Sequence, residues 1–237
     1  SIGGGINYVT KKPGNRLEAQ AGLTLAEYGQ ATATARVAGP LVEDHLFAEA
    51  GVAYNTRSGY LTNTATGEDI DTEEDFSARG ALRAVFGRTT IDLSASYSRI
   101  NDGCADCSYV PAGYNLPIPI GLPPYNTQLR DGLVDLNAEN YDIDQDSPHY
   151  LKIRTHNLIG TIEHEFDGVT LTSITGYTRA KTQMAFDIDR TANRNPLINS
   201  FIAVDADDES FSEELRLAGG GEGQFRWIVG GYYSKIR

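Results

Sequence analysis

Period-two alternation of apolar and polar residues recurs along the chain, while helical periodicity is nearly absent. The clearest run is Ile91-Asp92-Leu93-Ser94-Ala95-Ser96-Tyr97-Ser98, apolar at odd numbers and polar at even ones. A strand with that pattern turns one face to a greasy environment and the other to water. Residues 76–86 repeat the scheme more loosely, with Arg79 and Arg83 on the polar side, and 31–37 set Thr32, Thr34 and Arg36 against alanines. Leu158, Gly160, Ile162, His164 and Phe166 oppose Asn157, Thr161, Glu163 and Glu165, with Ile159 breaking the polar side. After a short strand near 2–10, the pattern predicts nine long antiparallel strands at 16–27, 31–42, 46–56, 76–87, 89–100, 151–166, 169–183, 210–218 and 225–236.

The connections between these strands sort by length. Glu43-Asp44-His45, Gly87-Arg88, Asp167-Gly168 and 219–224 read as tight turns with suitable residues, whereas 57–75, 101–150 and 184–209 are long and polar. Apart from the first hairpin at Tyr28-Gly29-Gln30, short and long alternate strictly, so tight turns fall on one rim and long loops on the other. Long strands with that asymmetry describe an outer-membrane β-barrel, whereas a soluble sandwich has shorter strands and no reason to sort its loops. The expected fold class is all-β, an antiparallel transmembrane β-barrel represented in part. Aromatics fit an interfacial girdle: Phe225, Trp227 and Tyr233 share one face of the last strand, and Phe47, Phe86 and Phe166 border short turns.

Composition narrows the class further. The 237 residues are 40% hydrophobic and 9% aromatic, too apolar for a disordered chain, yet no run approaches the roughly 18 apolar residues of a membrane-spanning helix. A formal charge of -12 argues against nucleic acid as a partner. The start Ser1-Ile2-Gly3-Gly4-Gly5 lacks an initiator Met and a signal peptide, and both ends look cut, so a piece of a longer protein is expected.

Residues Ser1-Ile2-Gly3-Gly4-Gly5-Ile6-Asn7-Tyr8-Val9-Thr10-Lys11-Lys12-Pro13 resemble the end of the plug domain in TonB-dependent outer-membrane receptors, of the form S-x-G-G-x-I-N-x-V-T-K-x-P. The motif residues are Gly3, Gly4, Gly5, Ile6, Asn7, Val9, Thr10, Lys11 and Pro13. Later segments, Leu171-Thr172-Ser173-Ile174-Thr175-Gly176-Tyr177, 209–217 and 225–233, resemble the barrel of the same family. Physically, the glycines permit close approach of a plug strand to a barrel wall, and Pro13 ends the strand; a Gly-rich loop leading into a hairpin is the plainer alternative. The resemblance implies residues 1–13 as the C-terminal end of a plug and 14–237 as the N-terminal part of a barrel of 22 strands. At about 26 residues per strand, the whole barrel would need roughly 570 residues. It further implies active uptake of a scarce, bulky solute such as an iron chelate, cobalamin or glycan, and location in the outer membrane. Partners would be outer-membrane lipid and lipopolysaccharide, and the TonB energy-coupling complex through a segment upstream of Ser1.

Candidate chemistry is sparse. The three long loops hold 20 acids against Arg57, Arg130, Arg190 and Arg194, an acidic crown suited to solvation or to divalent-cation bridging of lipopolysaccharide rather than to an anionic ferric chelate. Asp142, Asp144 and Asp146 have calcium-loop spacing, but Ser147 and Ile153 stand where an EF-hand wants Gly and Glu. Cys104 and Cys107 suit a local disulfide in an oxidising compartment; zinc would need two more ligands, and redox catalysis a different fold. His156 and His164 share a face of one strand but stand too far apart to hold one metal together. The stiff stretch 111–125, with Tyr109, Tyr114 and Tyr125, could stack on a ligand or serve as a packed lid. No nucleophile-base set, phosphate loop or dinucleotide fingerprint is present, so neither an enzyme nor a cofactor is expected. The alternatives are a passive porin or surface-binding barrel without energy coupling, and a secreted glycan-binding β-protein.

Overall fold

The structure, a computed structural model, describes residues 10–105, 141–187, 192, 201–220 and 225–237. Nine strands form one antiparallel sheet: β1 (Glu18–Leu25), β2 (Ala31–Val42), β3 (Leu46–Arg57), β6 (Glu73–Phe86), β7 (Thr89–Asp102), β9 (Tyr150–Phe166), β10 (Val169–Asp187), β11 (Phe201–Gly219) and β12 (Trp227–Ile236). Their order in the sheet is their order in the chain, so every neighbour is reached by a hairpin-like connection. A second, three-stranded sheet of β4 (Leu61–Asn63), β5 (Glu68–Ile70) and β8 (Asp142–Ile143) stands in the long connections.

The nine strands match the alternation in the sequence. Tight turns gather on one rim, and at each a residue enters the left-handed region: Asp44 (φ 61°), Gly87 (57°), Gly168 (79°) and Gly220 (104°). Two expectations need correction. The connection 184–209 is much shorter than it reads, because β10 runs on to Asp187 and β11 begins at Phe201. Phe47 is not a girdle residue: it shares the face of Glu49 and is 6% exposed.

This sheet has almost no conventional core. The molecule exposes 15657 Å², against about 10,400 Å² for a compact soluble protein of its 25.7 kDa. Buried apolar side chains amount to Pro13, Ala38, Phe47, Ile70, Ile143 and Ala185 among the described residues. Leu23, Val52, Leu82, Leu93, Leu158, Ile162 and Leu215 stand exposed instead, while the carboxylate of Glu49 is buried. Such an inversion suits a sheet whose apolar face meets lipid.

Register assigns each residue to a face. Ala33, Val52, Leu82, Leu93, Leu158, Leu171, Leu215 and Val229 fall on one side; Thr34, Arg36, Glu49, Arg79, Asp92, Thr161, Glu163 and Arg216 fall on the other. Rings bound the apolar side. Tyr54, Phe76, Tyr97, His156, Tyr177, Phe211 and Tyr233 line its long-loop end, and Phe86, Phe166 and Trp227 its turn end. Neighbouring rings touch: Tyr97 and His156 lie 4.9 Å apart between centroids, and Phe76 and Tyr97 6.2 Å. From Phe76 to Phe86 the strand climbs about 33 Å, or about 23 Å along the barrel axis at a 45° tilt, close to the height of a barrel's apolar band. The upper rings also step progressively toward the turns from β6 to β12, the stagger that tilted strands produce.

Candidate functional site

The polar face carries a charge network built by register alone. Gly51 on β3 lies opposite Arg36 on β2 and Arg79 on β6, which brings both guanidiniums toward Glu49 one inward position away. Arg36 donates to Glu49 at 2.7 Å and to Glu18 at 3.3 Å. Arg79 reaches Glu49 at 3.6 Å from its Nε and donates from Nη2 to Thr10 Oγ1 at 2.7 Å. Further toward the turns, Asp92 accepts two hydrogen bonds from Arg83 at 3.1 Å and pairs with Lys12 at 2.6 Å. Lys11 pairs with Glu18.

The motif residues Thr10 and Lys11, and their neighbour Lys12, are therefore tied to strands β1, β6 and β7 on the polar face, and Pro13 beside them is buried. Gly3, Gly4, Gly5, Ile6, Asn7 and Val9 lie outside the described residues. Arg36, Arg79, Arg83, Glu163 and Glu165, the polar side of the alternation in sequence, do share this polar face.

The long-loop rim has its own order. Many acids of the crown stand on strand ends that outrun the apolar band, and arginines answer several. Arg57 pairs with Asp71 at 3.0 Å and Glu73 at 2.6 Å and lies over the ring of Tyr60; Arg179 pairs with Asp207 at 2.8 Å. Asn63, fully buried, clasps the backbone of Gln145: its Nδ2 donates to the carbonyl at 2.8 Å and its Oδ1 accepts from the N–H at 3.2 Å. That clasp joins the excursion after β3 to the one before β9, a partnership with no signal in sequence.

Asp142 stands opposite Thr62 in the small sheet, and Asp144 is buried with its Oδ1 accepting from Thr64 at 3.2 Å. Asp146 lines a pocket of about 480 Å³ with Glu68, Asp69 and His149. Among the described residues, no group of three or more His, Cys, Asp or Glu is gathered as a metal site. Cys104 is disulfide-bonded, and Cys107 lies outside the described residues, as do Arg130, Arg190 and 111–125.

Asp102 sits past the ring belt, at the long-loop end of β7. Burial, reinforced by the charges of Asp75, Glu73 and Asp71, raises its pKa from 3.8 to about 6. A carboxyl with a raised folded pKa favours the fold when protonated, so its contribution is lost as pH climbs from about 4 to about 6. Asp102→Asn is expected to raise the melting temperature of the intact protein above pH 6, with the gain vanishing toward pH 4. A pH-independent difference between the two melting curves would refute that reading.

No family model matches the chain, and no curated protein matches it. Solved structures do match. The ferric yersiniabactin uptake receptor FyuA from Yersinia pestis aligns with a TM-score of 0.73 at 13% identity, over 96% of this chain and 32% of its own. The ferric-catecholate import receptor Fiu from E. coli K12, in its closed form, gives 0.68 at 15%, over 96% and 32%. The siderophore receptor PiuA from Acinetobacter baumannii gives 0.67 at 13%, over 96% and 31%. The chain has a TonB-dependent receptor-like fold. It spans just under a third of the length of these structures. In that fold the apolar, ring-bounded side is the barrel's exterior and the charged side its lumen.

Proposed function

We propose that this chain is the first part of the barrel wall of an outer-membrane active-uptake receptor, with residues 1–13 as the end of its plug. The observation that carries this reading is the docking of Thr10, Lys11 and Lys12 onto lumenal Arg79, Glu18 and Asp92. A passive pore has no need of a charged latch between its wall and the chain entering it. In a plugged receptor the same contacts hold the plug's last residues against the wall, in water, where moderate ion pairs can be broken by a pull.

An iron chelate is the substrate class best supported, because the structures sharing the fold are siderophore receptors; cobalamin and glycans remain the alternatives. The acid-rich rim favours a neutral or cationic chelate over a strongly anionic one. The contribution of the wall is a polar, charge-lined surface around the path of the solute.

The reading predicts that disrupting the gene under iron limitation abolishes accumulation of radiolabelled ferric chelate, and that a protonophore abolishes it equally in the parent strain. Uptake that is lost with the gene but resists the protonophore would assign the chain to a passive pore. Uptake indifferent to the gene would exclude iron chelates.

A further inference from the structure

Four non-glycine residues among those described have a left-handed backbone: Tyr28 (φ 57°), Asp44 (61°), Asp71 (66°) and Tyr141 (56°). Asp44 serves a tight turn on the short-connection rim. The other three converge on the opposite rim, around the ring of Tyr60. Tyr28 lies 5.7 Å from that ring between centroids and Tyr141 6.0 Å, at interplanar angles of 53° and 81°. The Asp71 carboxylate holds Arg57 at 3.0 Å, and the guanidinium of Arg57 lies 4.9 Å from the Tyr60 centroid. A bulky side chain is strained in the left-handed region, and such residues collect where a ligand is clamped.

Turn chemistry does not account for the tyrosines. Tyr28 and Gly29 (φ 65°) are the central residues of the hairpin turn between β1 and β2, where the Gln30 N–H donates to the Glu27 carbonyl at 3.2 Å. With both φ positive, that turn favours Asn, Asp or Gly in the place of Tyr28. Packing does not account for them either, since Tyr28 and Tyr141 stay 51% and 52% exposed. Main-chain bonds fix both to the excursion after β3: the Ser58 N–H donates to the Tyr28 carbonyl at 2.9 Å, and the Thr62 N–H to the Tyr141 carbonyl at 3.1 Å. The outcome is three rings at steep angles, the outer two open to water.

The surrounding charge selects what such rings hold. Arg57 is outnumbered by Asp71 and Glu73, which it meets at 3.0 Å and 2.6 Å, and residues 57–75 carry six acids against this one base. Glu27 and Asp142 adjoin the outer tyrosines in the chain. The negative faces of the rings add to that field, and Arg57 over Tyr60 is a cation already held by it. We propose that Tyr28, Tyr60 and Tyr141, backed by Asp71, form a site for an organic ammonium group. The rings meet the alkyl surface around the nitrogen, and the carboxylates supply the counter-charge. Binding here needs no energy coupling, so the site stands or falls apart from the uptake reading.

The test titrates the intact protein, in an uncharged polyoxyethylene detergent, with choline, with dimethylbutanol as its uncharged carbon isostere, and with methyl glucoside, each followed by calorimetry. Choline should bind, and the isostere should bind about tenfold more weakly or not at all. Tyr28→Asn should weaken choline about fivefold without lowering the melting temperature, because the turn prefers the new residue. Tyr28→Phe keeps the ring and should bind as the parent does. No binding of choline, or equal binding of the isostere, would overturn the site. Tighter binding of the glucoside would replace it with a sugar platform. An unchanged affinity in Tyr28→Asn would also overturn it, as would a fall in that variant's melting temperature, which would assign the ring to packing. None of these results touches the dependence of ferric-chelate uptake on the gene, which tests the uptake reading alone.

Discussion

Leu93→Arg is expected to destabilise the lipid-embedded protein by about 2–4 kcal/mol, whereas Ser94→Arg, one residue along, should change stability by less than about 1 kcal/mol. Leu93 is half-exposed on the apolar face, midway along β7 between the Thr89 pair that faces the turn-end rings and Tyr97. An arginine there must shed its hydration or drag water toward the bilayer centre. Ser94 faces the lumen, opposite Ala81 and Ile159, where a guanidinium stays wet. Denaturant unfolding of the intact protein in lipid vesicles measures both. Equal effects would mean that the exposed leucines meet another protein surface or a core, and the assignment of faces would fall.

Removing the Glu49 carboxylate should have a comparable effect from the other side of the wall. Its side chain is 7% exposed and holds Arg36 and Arg79, which are 24% and 34% exposed. Deleting one member of a buried pair costs about 3–5 kcal/mol, because the remaining charge stays desolvated. Partial exposure of both arginines lowers the figure here, so Glu49→Ala is expected to cost about 2–3 kcal/mol. Glu49→Gln keeps the shape and one acceptor and should fall between. Arg79 also holds Thr10, so the same variant should speed hydrogen exchange in the backbone just after it. An unfolding change below about 0.5 kcal/mol, or exchange at 11–15 like that of the parent, would show the network to be solvated decoration.

One feature on the exterior runs against a purely apolar face. Glu213 projects there, its two oxygens accepting from Ser173 at 2.8 Å and Thr175 at 2.6 Å. It stands opposite Tyr233 and next to Phe211 on that face, at the ring belt rather than at mid-depth. An acid at that level, already hydrogen-bonded by two hydroxyls, is far less penalised than one at the bilayer centre.

Why some of this was legible in the chain and some was not follows from where alternation has a cause. Between the ring belts each strand has lipid on one side and water on the other, so Ile91, Leu93, Ala95 and Tyr97 announce their face. Above the upper belt both sides are wet. Asp205, Asp207, Asp208 and Glu209 then read as loop, although they extend β11. Phe47 misled because a ring near a turn can face either way, and parity with Glu49 places it in the lumen. The Arg36–Glu49–Arg79 network needs the register of three strands, and the Asn63–Gln145 clasp needs two distant connections to meet. Neither leaves a local trace.

The unbroken sequential order of the large sheet has a consequence for how such a wall can diversify. Each strand is secured by the neighbours immediately before and after it in the chain, whatever lies between them. Lengthening a flexible connection raises its closure entropy only logarithmically, about 0.6 kcal/mol per doubling. Outer connections can thus change length at little thermodynamic penalty while β7 and β9 keep the same register, provided that contacts such as the Asn63–Gln145 clasp are kept. The wall behaves as a fixed loom, and the outer connections as thread that can be replaced.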